Sequence, residues 1–97
     1  MVVWTAPAKA DLKAIHDHIA EDSPYYAKKV VQEMREKVEQ VDTFPMLGKV
    51  VPEVGDDNIR ELHLYSYRII YEVSSTGNKA VLAIVHKRRD FKAEDLP

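Results

Sequence analysis

Ile59-Arg60-Glu61-Leu62 opens a stretch of three β-rich runs that decides the fold; Tyr67-Arg68-Ile69-Ile70-Tyr71-Glu72-Val73 and Val81-Leu82-Ala83-Ile84-Val85 follow it. Only Tyr65-Ser66 precedes the second run, and Ser74-Ser75-Thr76-Gly77-Asn78 is typical of a hairpin turn before the third. Short connections of this kind predict an antiparallel meander. The unbroken apolar run 81–85 also predicts a strand that is covered on both sides, near the centre of the sheet.

Two helical patterns precede these strands. Apolar residues recur at helical spacing from Ala8 to Ile19 and again from Ala27 to Val41. Ser23-Pro24 restarts the helix, because serine suits an N-cap and proline the first helical position. Two helices with so short a break form an antiparallel hairpin. We expect the apolar stripe of this hairpin to be buried against a sheet.

Val2-Val3-Trp4-Thr5 predicts a first strand, and 45–58 is predicted to be a loop in which Lys49-Val50-Val51 could form a short strand. The sequence therefore predicts one α+β domain, residues 1–97, with the order β-α-α-β-β-β. A two-helix hairpin would pack on one face of a small antiparallel sheet. The predicted core comprises Leu12, Ile15, Ile19, Val31, Met34, Val38, Ile69, Tyr71, Leu82 and Ile84.

The composition is that of an ordinary globular protein, with 45% apolar and 31% charged residues. Cysteine is absent, which excludes disulfides, thiolate chemistry and cysteine-based zinc sites. Because no leader-like or membrane-length apolar run occurs, we expect a cytoplasmic location. Residues 1–58 carry a net charge of −4 and residues 59–97 one of +2. This balance argues against a general nucleic-acid binder and favours a local basic patch in the second half.

Basic side chains on the strands define the candidate partner-binding site. Side chains alternate between the two faces of a strand, and aligned strands would bring together Arg60, Arg68, His86, Lys87, Arg88 and Arg89. Rigid strands that deliver such groups to one patch can hold a phosphate or a partner's carboxylate. Two alternatives stay open: Arg68 could join Glu72 in a solvated ladder of ion pairs, and 86–89 could be a solubilising strand end.

Metal and cofactor chemistry find no support in the sequence. His16 and His18 are two residues apart on a helix and point in different directions, so they cannot form a metal pair. Glu61 and His63 share a strand face, but two ligands do not make a zinc site. Nucleophile elbows and phosphate-binding glycine loops do not occur either. We expect no metal and no cofactor.

Short motifs follow one another in a fixed order along nearly the whole chain. They are Asp11-Leu12-Lys13-Ala14-Ile15, Ser23-Pro24, Phe44-Pro45-Met46-Leu47-Gly48, Val51-Pro52-Glu53, Ile59-Arg60-Glu61-Leu62, Tyr67-Arg68-Ile69-Ile70-Tyr71 and His86-Lys87-Arg88-Arg89-Asp90. Their order and spacing resemble the ParE/RelE superfamily of bacterial type II toxins. The Phe-Pro-x-x-Gly turn, the Pro-Glu pair and the Arg-Glu-Leu strand resemble the ParE branch most closely.

The resemblance to the ParE branch implies a toxin that inhibits DNA gyrase by protein contact, without chemistry of its own. It also implies a cognate antitoxin, ParD-like or similar, whose C-terminal segment wraps over the helical hairpin and the sheet. We expect carboxylates of that antitoxin to meet Arg60 and the Arg88-Arg89 end.

The RelE branch is the alternative, and its members cut mRNA on the ribosome without a metal. Arg60, Arg68, His86 and Arg88 would then be catalytic, because such cleavage needs a base, an acid and cations around the phosphorane. The chain departs from that branch at Phe91, which lacks the hydroxyl of the usual C-terminal tyrosine. It also has only Lys49 where that branch carries several lysines. A non-toxic module that only binds an antitoxin is a second alternative.

Overall fold

The computed structural model describes all residues of the chain, 1–97. Its helices are α1 (Ala6–Ala20) and α2 (Pro24–Thr43). Its strands are β1 (Val2–Trp4), β2 (Lys49–Val50), β3 (Ile59–Leu64), β4 (Tyr67–Val73) and β5 (Lys79–His86), and a short 3₁₀ helix follows at Ala93–Asp95. The predicted helices and strands are thus confirmed.

Both helices begin where the sequence supplies a capping hydroxyl. Thr5 accepts a hydrogen bond from the Ala8 amide (3.3 Å), and Ser23 accepts one from the Tyr26 amide (3.1 Å). Each cap satisfies an amide that has no partner inside its helix. A proline lies in the first turn of each helix, where its missing N–H is no loss. Neither helix has the combination of length and apolar character that crossing a bilayer requires.

The five strands form one sheet in the order β1-β5-β4-β3-β2. The pairs among β2 to β5 are antiparallel, whereas β1 lies parallel to β5. The α+β class and the helical hairpin are therefore confirmed, and the sheet is mixed rather than purely antiparallel. β4 occupies one side of β5, and β1 pairs with its other side. There the Thr5 amide and hydroxyl both donate to the Val81 carbonyl (3.1 and 2.7 Å).

A β-bulge in β5 changes which of its side chains face the helices. Ile70 pairs with Ala83 and Tyr71 pairs with Val81, so Leu82 is an extra residue without a partner on β4. As a result Val81 packs under the helices, whereas Ala83 packs on the opposite side of the sheet. All of 81–85 is buried, which confirms that this strand is covered on both sides.

The larger core lies between the helical hairpin and the side of the sheet that we term the helix face. Each large side chain buried there stabilises the fold by about 1.5–3 kcal/mol. The predicted core residues lie in this core except Ile19 and Val31, which are half-buried at its border, and Leu82, the bulged residue, which is buried but belongs to neither core. Its buried members are Val2, Ala8, Leu12, Ile15, Val30, Met34, Val38, Val41, Leu62, Ile69, Tyr71, Val73, Val81 and Ile84.

A smaller core covers the opposite side of the sheet, which we term the loop face. It consists of Val51, Ile70, Ala83, Val85 and Phe91. No helix of the hairpin reaches this side; the loop 51–58 and the C-terminal segment 91–96 cover it instead. The loop face therefore has a thin cover, and its charged residues are part of what holds that cover in place.

Candidate partner-binding surfaces

Arg60 and Arg68 lie on opposite faces of the sheet, so the predicted convergence of all six basic side chains is wrong. Residues directly opposite each other in antiparallel strands point to the same side. Arg60 is opposite Tyr71 and Arg68 is opposite His63. Because Tyr71 belongs to the helix-side core, Arg60 is on the helix face and Arg68 is on the loop face.

Arg68 is the centre of a buried ionic network. Its guanidinium donates two hydrogen bonds to Glu53 (2.7 Å each) and one to Glu61 (2.5 Å). It also lies over the Phe91 ring, 5.5 Å from the ring centroid. Glu61 is hydrogen-bonded to the His63 ring as well. Only 8% of Arg68 and 3% of Glu61 is exposed, so these charges compensate each other inside the protein.

The network fixes the charge state of its members. Burial by itself raises the pKa of Glu61, but hydrogen bonds from Arg68 and His63 outweigh burial and leave that pKa below its ordinary value. Hydrogen bonds from Arg68 also lower the pKa of Glu53, against a smaller opposing effect of burial. Both carboxyls are therefore ionised at neutral pH. Glu72 is exposed and forms no ion pair with Arg68, so the solvated-ladder alternative is wrong.

Arg60 holds two backbone segments together. Its Nε donates to the Asp57 carbonyl and its Nη1 to the Gly48 carbonyl (2.9 Å each). The buried Tyr71 hydroxyl acts beside it, accepting from the Gly48 amide (2.9 Å) and donating to the Pro45 carbonyl (2.8 Å). Burial raises the pKa of Tyr71, so this hydroxyl keeps its proton. We term the segment held in this way, residues 44–48, the clamped turn.

The basic residues 86–89 stay exposed at the end of β5, and we term them the basic turn. The His86 ring packs edge-on against Tyr67, with 5.6 Å between ring centroids. The Lys87 amide donates to the Ser66 carbonyl (2.8 Å), which joins the basic turn to the turn between β3 and β4. Its cations have no acidic partner in the protein. This is the part of the candidate site that remains free to contact another molecule.

The four residues of the nuclease alternative are not brought to one point. Arg60 and His86 pair with Tyr71 and Tyr67, four residues and about 13 Å apart along β4. Arg68 lies on the opposite face, buried in its network, and Arg88 lies beyond β5 in the basic turn. Nor do any three His, Asp or Glu side chains lie close enough to hold a metal ion.

A groove between α1 and α2, which we term the hairpin groove, lies on the helical hairpin over which the resemblance implies that an antitoxin wraps, but its lining residues were not among the predicted site residues. Its volume is about 620 Å³, its apolar lining is Trp4, Leu12 and Val31, and its polar lining is Lys9, Lys13, His16, Arg35 and Glu39. Lys13 and His16 are already paired with Asp17, and their hydrogen bonds lower the pKa of that carboxyl. Lys9 and Arg35, in contrast, have no acidic partner. Helical periodicity assigns Val31 to the core, and only the packing of the two helices shows that it also lines a groove.

These surfaces suit non-covalent recognition. A groove with an apolar floor and free cations, together with an exposed basic turn, is complementary to an acidic partner protein. The fold and its surfaces thus define a small α+β protein whose recognisable sites are docking surfaces.

The family described as ParE toxin of type II toxin-antitoxin system, parDE, matches residues 2–91, and the chain belongs to this family of type II toxins. Among solved structures it is similar to a chain of the chromosomal ParDE TA system from P. aeruginosa, with 28% sequence identity and a TM-score of 0.72. That match covers 88% of this chain and 92% of the other. No curated protein sequence matches the chain.

Proposed function

We propose that this toxin inhibits DNA gyrase by protein–protein contact and that it acts in the cytoplasm. The separation of Arg60, Arg68, His86 and Arg88 carries the proposal, since two of these side chains serve internal bonds on opposite faces of the sheet. General acid–base cleavage of RNA needs such groups around one phosphate. The charges that stay free are in the basic turn, which suits contact with a large partner. The resemblance to the ParE branch supports gyrase as that partner.

The second partner is a cognate, ParD-like antitoxin, and we place it in the hairpin groove. An acidic amphipathic helix would lay its apolar side on Leu12 and Val31 and its carboxylates on Lys9 and Arg35. The similar P. aeruginosa structure is that of a chromosomal ParDE TA system, which supports a toxin–antitoxin pair here too. Arg88 and Arg89 would meet further carboxylates of the same antitoxin.

The target is tested with antitoxin-free protein in two parallel reactions, one with gyrase and supercoiling substrate, the other with translating ribosomes and labelled mRNA. We expect inhibited supercoiling or trapped cleaved DNA, with the mRNA intact. Codon-phased cuts that disappear in Arg60→Ala or His86→Ala would establish the RelE-type nuclease instead. Because Arg60 also holds the clamped turn, its variant must melt like the wild type for that result to count. Silence in both reactions, with antitoxin binding retained, would identify a non-toxic module.

The antitoxin site is tested by charge changes on the two surfaces. Arg35→Glu in the groove should weaken the complex about tenfold or more, since it removes one favourable charge contact and adds a repulsive one. Replacing Arg88 and Arg89 by Ala should weaken it less and reduce its salt dependence. Lys92→Glu, in the exposed C-terminal segment, is the matched control and should bind normally. Unchanged affinity of Arg35→Glu would place the antitoxin elsewhere.

A further inference from the structure

The backbone of the basic turn is fixed where it leaves β5. The Arg89 amide donates to the His86 carbonyl (3.0 Å), which closes a four-residue turn. The Arg88 amide donates to Nδ1 of the His86 ring (3.1 Å), and the Lys87 amide donates to the Ser66 carbonyl. The side chains of 87–90 stay exposed and form no ion pair within the protein. The turn therefore combines a fixed backbone with free charges.

Phe91 is the next fixed point along the chain. Every residue from 86 to 90 is exposed, whereas Phe91 is only 5% exposed. Its ring packs in the apolar core of the loop face and lies beneath the Arg68 guanidinium, with 5.5 Å between Cζ and the ring centroid. A cation attracts an aromatic ring most strongly where water is excluded. Because residues 88–90 alone separate this ring from the bonded Lys87 amide, the ring limits where the basic turn can lie.

The Arg68 guanidinium provides a rigid support for the ring. Its N–H groups bond to Glu53 in the loop and to Glu61 in β3, and they lie in the plane of the guanidinium. The flat face of the same group therefore stays free to contact the ring. Because two carboxylates hold the cation from two segments of the chain, the cation keeps its place. The ionic network in this way fixes the position of Phe91.

Charge alone would not require a second fixed point at Phe91. A disordered tail with the same lysine and arginines would attract an acidic surface by the same long-range field. On contact, however, such a tail loses backbone entropy that a preformed turn does not lose. Large apolar side chains are absent from 86–90, so the affinity that this turn supplies depends on where its charges are placed.

We propose that Phe91 is a positioning residue for recognition of the target. Buried beneath Arg68, Phe91 does not touch the partner. It holds the basic turn in the backbone conformation in which Arg88 and Arg89 meet an acidic surface of gyrase. This role rests on the proposed function, because gyrase is the partner that the turn meets. The ionic network of the loop face thereby serves recognition as well as stability.

The first variant lengthens the link between the two fixed points and leaves both in place. Two glycines inserted between Asp90 and Phe91 add up to about 7 Å of chain, while the ring and the Lys87 amide keep their partners. We expect the affinity for purified gyrase, measured by surface plasmon resonance, to fall about tenfold or more. Its salt dependence should stay as in the wild type, because every cation is still present. The same two glycines between Leu96 and Pro97, beyond the Phe91 ring, are the matched control and should change neither quantity.

The second variant removes the aromatic ring but keeps an apolar side chain. Phe91→Leu still contributes to the loop-face core but has no ring beneath Arg68, so the affinity for gyrase should fall by about threefold to tenfold. The NMR order parameters of the Arg88 and Arg89 amides should fall with it. Met34→Ala, which destabilises the helix face, controls for stability and should bind gyrase like the wild type.

Two results would overturn the positioning role and leave the proposed function intact. One is an insertion variant that binds gyrase as tightly as its control, and the other is a Phe91→Leu variant that loses no more affinity than Met34→Ala. If the insertion lowers the melting temperature relative to its control, the comparison of Phe91→Leu with Met34→Ala decides. A wild-type chain that does not bind gyrase would overturn the proposed function, and the positioning role with it.

Discussion

The two faces of the sheet are stabilised by different means. On the helix face, the hairpin covers the strands with fourteen buried apolar residues. On the loop face, five buried apolar residues lie beside Glu61 and Arg68, the charged side chains that the fold buries. The helix face depends on burial of apolar surface area, an interaction that has no preferred direction. The loop face depends also on ion pairs and hydrogen bonds, which need a definite geometry.

The difference follows from what covers each face. A helical hairpin brings a continuous apolar stripe, whereas the loop 51–58 and the C-terminal segment contribute few apolar side chains. Arg68 reaches Glu53 in the loop and Phe91 in the C-terminal segment. One guanidinium therefore holds both covering segments against the sheet. A small domain can in this way cover a second face without a second layer of helices.

The largest effect is expected from Arg68→Leu. It leaves the Glu61 carboxylate buried without its guanidinium partner, so the free energy of unfolding should fall by about 3–5 kcal/mol. Urea unfolding followed by circular dichroism measures the loss. Adding Glu61→Leu removes the orphaned charge and should restore much of the stability. A single variant as stable as the wild type would show that the loop face does not need the ionic network.

Met34→Ala probes the helix face. Met34 is fully buried under the hairpin, so truncation should cost about 3 kcal/mol through lost transfer free energy and the cavity left behind. Met46→Ala is the matched control, because that methionine is 53% exposed; its effect should stay within about 0.5 kcal/mol. Met34→Ala leaves no unpaired charge behind. Removing a charged side chain elsewhere should therefore not restore its stability, in contrast to the rescue of Arg68→Leu by Glu61→Leu.

Tyr71→Phe tests how the helix face holds the clamped turn. It removes a hydroxyl that bonds to Gly48 and Pro45, so the unfolding free energy should fall by about 1–3 kcal/mol. Hydrogen exchange of the Gly48 amide should become faster while the core amides of α2 keep their protection. Tyr25→Phe, at a tyrosine that is 79% exposed, should change neither quantity.

The smallest effect concerns pH and Glu53. Hydrogen bonds from Arg68 place the folded-state pKa of Glu53 below its unfolded value, which is about 4.3. Its contribution to stability is therefore complete above about pH 5 and is lost as pH falls through the folded-state pKa. Since 32% of its side chain is exposed, Glu53→Gln should lose about 1 kcal/mol or less at pH 7. The gap between variant and wild type should narrow as the pH falls through the folded-state pKa of Glu53, and a gap that widens in acid would contradict this sign.

The sequence predicted what depends on neighbours along the chain. Ser23 caps α2, as predicted, because its hydroxyl reaches an amide three residues further along the chain. The apolar set of β4, with Ile69 and Tyr71, correctly identified the side towards the core. The direction of β1 was not predictable in the same way, because three residues carry no signal for the distant strand with which they pair.

The predicted convergence of the basic side chains was wrong because it depended on how the strands pair. Alternation groups side chains within β3, but only the register shows that Arg60 faces Tyr71; the apolar Leu62 on the same side was the available signal. The bulge at Leu82 could not be recognised in the sequence, because a run that is apolar throughout has no alternation to interrupt. Glu53 became the partner of Arg68 through the path of a loop, which no local pattern encodes.

Trp4 is the one tryptophan of the chain and lines the hairpin groove. Its indole therefore reports optically on a single place in the molecule. A partner that displaces water from the groove will move the emission of this ring to shorter wavelength, whereas a ligand at the basic turn, at the far end of β5 from Trp4, will leave the spectrum nearly unchanged. The protein thus carries an intrinsic, label-free colour signal that tells occupation of one surface from occupation of the other.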